Sequence, residues 1–470
     1  MDRQAIGQVI DLPVRNTIAV IDIGKTNIKI VVFDAAAGRE IDSRKAPNEI
    51  ATTGLYPHHD VEHIWSFIRD SFTSMAKSHR IDAISITAHG ATAVLLQQDG
   101  TLALPVLDYE HNGPDSLAVI YDALRPPFAE TGSPRLPMGL NLGAQLHWQQ
   151  TSFPKQFAQA KWLLMYPQYW AFRLTGKMAG EVTSLGCHTD LWRPARSDYS
   201  SLVDERSWRH LMPPLCRAAD VIGKVTAEFS TSTGVATDTP VIGGIHDSNA
   251  SLYPHLATRP APFGVISTGT WAICFAVGGK EIKLDPARDT LINVNALGQP
   301  VPSARFMGGR EFEILNQALS ATPTSEDKLV VLQSGTMLLP AVIGGSGPFP
   351  RHQHKWINAE VATPAQCRVA ASYYLALMTA TCLSLIGAQG PNIVEGPFST
   401  NPDFLDMLSA ATGRPTLVSS GSNTGTSLGA AMLAGAQFVP ALDEWKLAAP
   451  TELLHNYAQA WFTRSNAAGP

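Results

Sequence analysis

Hydrophobic and polar positions first form a recognisable pattern at residues 18–34, IAVIDIGKTNIKIVVFD, where two β-branched runs flank a polar Gly-Lys-Thr tip. With little of a helical period, this segment predicts a β-hairpin. Residues 263–277, FGVISTGTWAICFAV, repeat the design. When Ile21 is set on Ile266, an offset of 245 residues, Asp22 falls on Ser267 and Gly24 on Gly269. A repeat this long is no solenoid and predicts two related halves, each opening with strand-turn-strand. The division is expected between about residues 240 and 263, giving domains over 1–250 and 251–470.

Between the hairpins, the pattern predicts strands at 81–87 and 92–97, a loop-rich region over 105–160 and a helix over 155–174. In the second half, 330–342 reads as strand or turn, 365–388 as a long helix and 391–395 as a strand, with helices at 402–412 and 425–437. Strands alternating with helices indicate an α/β core. The stretch between Arg368 and Glu395 carries no charge and is long enough in principle to span a bilayer. Ser372, Thr379, Thr381, Ser384, Gln389 and Pro391 dilute it, so a buried helix followed by a strand is expected instead.

Composition narrows the function classes. At 470 residues the chain exceeds the size of a single hydrophobic core, which agrees with two domains. A net charge of -5 argues against nucleic-acid binding, which needs a basic face. Cys187, Cys216, Cys274, Cys367 and Cys382 are odd in number, widely spaced and without a C-x-x-C pair, so they suggest neither a disulfide framework nor a zinc site. A reducing, cytoplasmic setting is the expectation, and the N-terminus shows no basic region followed by an apolar run. His58, His59 and His63 with Asp60 read as a solvated helix cap, and His352 with His354 as a surface turn.

The chemistry concentrates at the tips. Asp22, Gly24, Lys25, Thr26 and Asn27 bring backbone N–H groups, an ammonium and hydroxyls together in a way that suits a phosphate, with Asp22 offering a carboxylate to magnesium. A P-loop is excluded because Ala19 stands where that motif needs glycine and a strand follows instead of a helix. Ser267, Thr268, Gly269 and Thr270 give the second tip the same character, and the two are expected to face each other across a cleft. In VIGGIHDSNASL, Gly243 and Gly244 allow close backbone approach and Asp247 opens a helix, either as a cap or as a catalytic carboxylate. Near the C-terminus Gly396, Asn401, Gly425 and Gly429 are candidates for an adenosine pocket, with close helix packing as the alternative.

In this order, the Asp-x-Gly-x-Thr hairpin, the Gly-Gly-x-x-Asp turn, the Ser-Thr-Gly-Thr hairpin and the Gly-x-x-x-Asn plus Ser-Leu-Gly-Ala-Ala ending resemble the FGGY carbohydrate kinases. Residues 169–192, YWAFRLTGKMAGEVTSLGCHTDLW, are similar to that family's Tyr-x-x-x-x-Leu-Thr-Gly segment. The resemblance implies two ribonuclease-H-like domains of the actin superfamily, an interdomain catalytic cleft, ATP and magnesium, and phosphoryl transfer to a sugar hydroxyl. It places Asp247 on the general base and Asp22 on the metal-organising carboxylate, with Asp247 also beside the metal. Lys25, Thr26, Gly269 and Thr270 fall on phosphate positions, and Gly396, Asn401 and Gly425 near the adenosine.

The resemblance also has departures. The family's Trp-x-Asp-x-Arg string is Val106-Leu107-Asp108-Tyr109-Glu110 here, and its Gln-x-His-Gly string is Thr87-Ala88-His89-Gly90. His89, Gly90, Asp108, Tyr109, Glu110 and His246 are the residues expected to bind the sugar, alongside Asp247. The Lys25-Thr26-Asn27 turn and residues 306–311 look closest to kinases of rhamnulose and fuculose; xylulose, ribulose and glycerol are the alternative substrates. The expected partner is a small sugar, with no nucleic acid or membrane and with a homodimer left open. The rival readings are an actin-like ATP-dependent switch and a sugar sensor on an inactive kinase fold.

Overall fold

In the computed structural model, the described residues are 15–317, 321–419, 425–448 and 451–467. They divide into two compact units. Unit 1 comprises residues 1–259, 292–300 and 423–439, and unit 2 the remainder. The first crossing is at Arg259–Pro260, and the chain later returns twice to unit 1.

Unit 1 is built on β1 (Thr17–Ile23), β2 (Asn27–Asp34), β3 (Arg39–Pro47), β4 (Ala83–Ala88), β5 (Val221–Lys224) and β6 (Pro240–Ile242), in the order β5-β6-β4-β1-β2-β3. β1, β2 and β3 form an antiparallel meander, while β4 and β6 run parallel to β1 on its other side. The period-2 alternation of β1 divides its side chains between two cores. Ala19, Ile21 and Ile23 join one, and Ile18 and Val20 the other. Burial on both faces explains why the strand reads as a nearly continuous apolar run. Helix α1 (Val61–Met75) covers the first face, and Asp60 caps it by accepting from His63 N.

α2 (Tyr166–Thr175) carries Pro167 in its first turn. The predicted helix over 155–174 is interrupted: Pro154–Phe157 is a short helix, but Trp162–Met165 is a strand paired antiparallel with Ala93–Leu96. A four-residue apolar run is too short to show a period, and tertiary pairing decides it. α3 (Asp247–Thr258) packs against a helix over Gly425–Leu433, where a Cβ on Gly429 would come within 1.8 Å of Ala250 O. The small residues of that helix therefore serve helix packing. His59 also departs from expectation. It lies in a short strand and is 1% exposed, so only Asp60 of that group acts as a cap.

Unit 2 repeats the plan with β7 (Phe263–Thr268), β8 (Ala272–Val277), β9 (Pro300–Phe306), β10 (Asn392–Glu395), β11 (Thr416–Ser419) and β12 (Leu442–Glu444), in the order β9-β8-β7-β10-β11-β12. β7 and β8 form an antiparallel hairpin, and β10 and β11 lie parallel beside β7. Both units thus open with the strand-turn-strand expected of the repeated hairpins and take the ribonuclease-H-like arrangement that the family resemblance implies. The charge-free stretch is α4 (Pro364–Leu385), opened by a Thr363–Gln366 capping box and buried along Val369–Ala380. Among the described residues, no helix is long and apolar enough to cross a membrane. Residues 330–342 differ from expectation, with helix Ser325–Ser334 preceding a strand at Met337–Leu339.

Candidate active site

Three parallel strand ends build the site of unit 1. Asp22 in β1 pairs with Thr87 in β4, and Thr87 pairs with Ile245 in a short strand, Ile245–His246, on β4's far side. The residues at or just past these ends are Asp22, His89 and Asp247. Carboxyl ends of neighbouring parallel strands are where α/β sheets bind ligands. Gly243 and Gly244 shape the turn before Asp247, and Gln168 Nε2 donates to both their carbonyls at 2.8 and 3.2 Å.

Asp247 begins α3, but its side chain does not cap the helix. Oδ1 accepts from Ser248 N at 2.6 Å and from Ser248 Oγ at 3.1 Å, and lies 3.2 Å from His246 Nε2. Oδ2 has no hydrogen-bond partner among the described residues, and the side chain is 34% exposed. Asn249 Nδ2 donates to His246 Nδ1 at 3.3 Å, which puts the proton of a neutral His246 ring on Nε2, the nitrogen that faces Asp247. Behind this pair, Thr183 Oγ1 accepts from His246 N at 3.0 Å and itself donates to Glu181 Oε2. Glu181 is 1% exposed, and burial pushes its carboxyl up to about 8. Glu181, Thr183 and Gln168 carry no motif signal and were not foreseen; only their place in the Leu-Thr-Gly-like segment or in α2 hinted at them.

Asp22 is pushed up to about 7, first by burial and then by the charge of Asp247, with Lys29 opposing. A buried carboxylate whose proton affinity is raised by a second carboxylate close by gains from a divalent cation between them, so Asp22 with Asp247 fits magnesium held directly or through water. His89 is buried and lowered to about 4 by desolvation, so its ring is neutral at pH 7. Its Nδ1 lies 3.0 Å from Gly90 O, and a Cβ on Gly90 would come within 2.6 Å of His246 Nε2. His59, Tyr166 and Tyr109 ring His89 at centroid distances of 5.1, 5.1 and 5.7 Å.

At the first tip Lys25 Nζ has partners within unit 1. It is bonded to Asp108 Oδ1, lies 3.4 Å from Glu110 Oε2 and sits 4.7 Å over the Tyr109 ring. Gly24 N donates to Asn27 O at 2.9 Å and closes the turn, leaving Thr26 and Asn27 exposed, with Asn27 Nδ2 on Thr26 Oγ1.

In unit 2, Thr268 Oγ1 donates to Glu395 O and accepts from Phe398 N at 3.2 Å, so this hydroxyl is spent on the fold. Gly396 has φ +77°, and a Cβ there would come within 2.0 Å of Thr268 O. Asn401 caps α5 (Pro402–Thr412), accepting from Phe404 N at 3.2 Å and donating to Ser372 Oγ at 3.0 Å. Gly269 and Thr270 stay at the open end of the second hairpin, with nothing within 4 Å of a Cβ on Gly269. Gly425 lies in unit 1, at the start of the helix on α3, and the preceding turn lies outside the described residues.

Comparison with known proteins gives the family. Residues 17–253 match the N-terminal domain of the FGGY family of carbohydrate kinases, and residues 260–441 match the carbohydrate kinase FGGY C-terminal domain. A solved carbohydrate kinase from Novosphingobium aromaticivorans is 35% identical over 97% of this chain and 100% of its own, with a TM-score of 0.88. A ligand-bound xylulose kinase from Lactobacillus acidophilus shares the fold at 18% identity and a TM-score of 0.79, covering 96% of this chain and 98% of its own. A probable L-xylulose kinase from Pasteurella multocida is 25% identical over 55% of each chain. This chain spans about half the length of the curated relatives it matches. With both domain profiles matched in order, the chain belongs to the FGGY family of carbohydrate kinases.

Proposed function

We propose that the protein transfers the γ-phosphoryl group of ATP to a hydroxyl of a small ketose or polyol, with Asp247 as the general base. The observation that carries this reading is the state of the Asp247 carboxylate. Oδ1 is fixed by Ser248 and His246, while Oδ2 is unengaged and partly exposed. Such a group accepts a hydroxyl proton without giving up a structural bond. Phosphoryl transfer through a loose transition state asks mainly for positioning and charge neutralisation, and a placed base typically adds about 10² to 10⁴ in rate.

Asp22 and Asp247 would hold magnesium, which when bound supplies neutralisation of phosphate charge. His246, oriented by Asn249 and by Thr183, keeps Oδ1 turned inward. His89, Asp108, Tyr109 and Glu110 are assigned to the sugar hydroxyls, and Gly269 and Thr270 to the phosphates. For the sugar, the names of the relatives described above favour a xylulose-like ketose over the rhamnulose or fuculose expected from the texture of the first tip. A coupled ADP-release assay over xyluloses, ribuloses, L-rhamnulose, L-fuculose and glycerol tests the reading. Sugar-dependent ADP release supports it, and ATP turnover indifferent to every sugar would favour an actin-like switch.

A further inference from the structure

A buried chain of side chains stands behind Asp247. Glu181 opens the short helix Val182–Leu185, and its Oε2 accepts from Thr183 N at 2.9 Å and from Thr183 Oγ1. Thr183 Oγ1 in turn accepts from His246 N at 3.0 Å, and His246 Nε2 lies 3.2 Å from Asp247 Oδ1. Glu181, Thr183 and His246 are all buried, so bulk water supplies none of them with a substitute partner. A threonine hydroxyl has one proton to give. While that proton goes to Glu181, the lone pairs of the oxygen face the His246 amide. Oε2 accepts in either protonation state of the carboxyl, because a neutral Glu181 can carry its proton on Oε1. With no acceptor at 181 the hydroxyl is free to turn to another carbonyl, as threonines at helix starts readily do, and the buried His246 N–H is left to find a partner by moving. Asp247 follows directly on that backbone and leans on the His246 ring, so a shift at 246 displaces its carboxylate.

We infer that Glu181 is a positioning residue for phosphoryl transfer: by fixing which way the Thr183 hydroxyl points, it holds the backbone of His246 and, through it, the Asp247 carboxylate. The inference rests on the kinase reading above and deepens it. A Glu181 that served only to cap Val182–Leu185 would matter for folding and would leave the chemical step alone.

The test uses the full chain with ATP, magnesium and the sugar that best stimulates ADP release. Glu181→Leu removes the acceptor, and Thr183→Val removes the hydroxyl at nearly constant shape. Each should lower kcat about tenfold to a hundredfold, with the KM values for sugar and ATP within about twofold of wild type. Glu181→Gln, through its amide oxygen, and Thr183→Ser should restore kcat to within about threefold of wild type. Placed on Asp247→Asn, Glu181→Leu and Thr183→Val should each cost no more than about a further twofold, because residues that act as one unit do not add. An undiminished kcat in Thr183→Val, or a full additional loss on Asp247→Asn, overturns the inference and leaves Glu181 a helix cap. Should Glu181→Leu not fold, Thr183→Val and Thr183→Ser decide the matter. Hydrogen exchange at the His246 amide needs no turnover: it should speed up about tenfold or more in Glu181→Leu and Thr183→Val and return toward wild type in Glu181→Gln and Thr183→Ser. If no sugar stimulates ADP release, the kinase reading fails on its own, while an unchanged His246 exchange rate in both Glu181→Leu and Thr183→Val overturns the positioning role whatever the activity.

Discussion

The two sheets share a strand order but use their strand ends in opposite ways. In unit 1 the ends of β1, β4 and the Ile245–His246 strand carry Asp22, with raised proton affinity, His89, with lowered proton affinity and an unbonded Nε2, and Asp247. In unit 2 the ends of β7 and β10 carry Thr268 and Gly396, and the Thr268 hydroxyl is bonded to backbone. The fold therefore provides the position, and the side chains at it decide between chemistry and architecture. Unsatisfied buried polar groups cost stability, and His89 Nε2 at the end of β4 is one of them.

The substitution expected to separate the two regions most strongly is Asp247→Asn. Turnover should fall by about two to four orders of magnitude, as for loss of a general base. Because the carboxylate caps no helix N–H beyond Ser248, the melting temperature should stay near wild type. Single-turnover phosphorylation and thermal melting on the same preparation check this, and near-normal turnover would remove Asp247 from the mechanism.

Next in size is one operation applied to both regions, adding a methyl group to a glycine. Gly90→Ala forces a Cβ against His246 Nε2 and should lower kcat about tenfold to a hundredfold through displacement of the Asp247 partner, with a modest change in melting. Gly396→Ala combines φ +77° with a 2.0 Å approach to the Thr268 carbonyl and should cost roughly 3 kcal/mol or more of stability. Denaturant unfolding and kcat measured on both variants should give opposite profiles. The same profile from both would erase the distinction between the units.

Glu181 gives unit 1 a pH signature, as buried Glu311, pushed up to about 7, gives one to unit 2. The Glu181 carboxyl titrates near 8 in the folded chain and near the ordinary 4.5 when unfolded. Below the unfolded value both states are protonated and the stability contribution is complete. As pH rises toward 8 the unfolded chain releases the proton first, so that contribution is lost. Glu181→Gln keeps an acceptor for Thr183 but cannot titrate. It should gain on the wild type by on the order of a few kcal/mol between pH 5 and pH 8.5. Melting curves at both pH values check this, and parallel losses in the two proteins would place the Glu181 carboxyl in a more polar setting.

The parts legible in the sequence were those with local pattern. The hairpins at 18–34 and 263–277 show a period of two and a repeated glycine tip, and Asp22 and Asp247 lie beside them. Asn401 was visible as a residue, but a side chain that caps α5 and one that binds a ligand leave the same letter in the chain. Strand Trp162–Met165, buried His59 and the Glu181–Thr183–His246 chain arise from partners separated by tens of residues. Nothing local specifies them. Lys25 belongs to the same class: its Gly-Lys-Thr neighbours suggested phosphate, while its ion partners lie beyond residue 105.

The smallest expected effect on the fold is at Gly269, and it probes the one open position at the second tip. A Cβ there meets nothing within 4 Å, and Gly269 N already donates to Trp271 O at 2.9 Å, so the backbone is held without help from a ligand. Gly269→Ala and Gly269→Val should therefore leave stability within about 0.5 kcal/mol of wild type. If the phosphates of ATP approach this backbone, the branched side chain should raise the KM for ATP severalfold, alanine should do so less, and the KM for the sugar should not move. The comparison with Gly396→Ala is then complete, because two glycines at neighbouring strand ends of one sheet would report architecture in one case and ligand approach in the other. An unchanged ATP KM in Gly269→Val would move the phosphates away from the second hairpin and leave the tip a turn in the fold and nothing more.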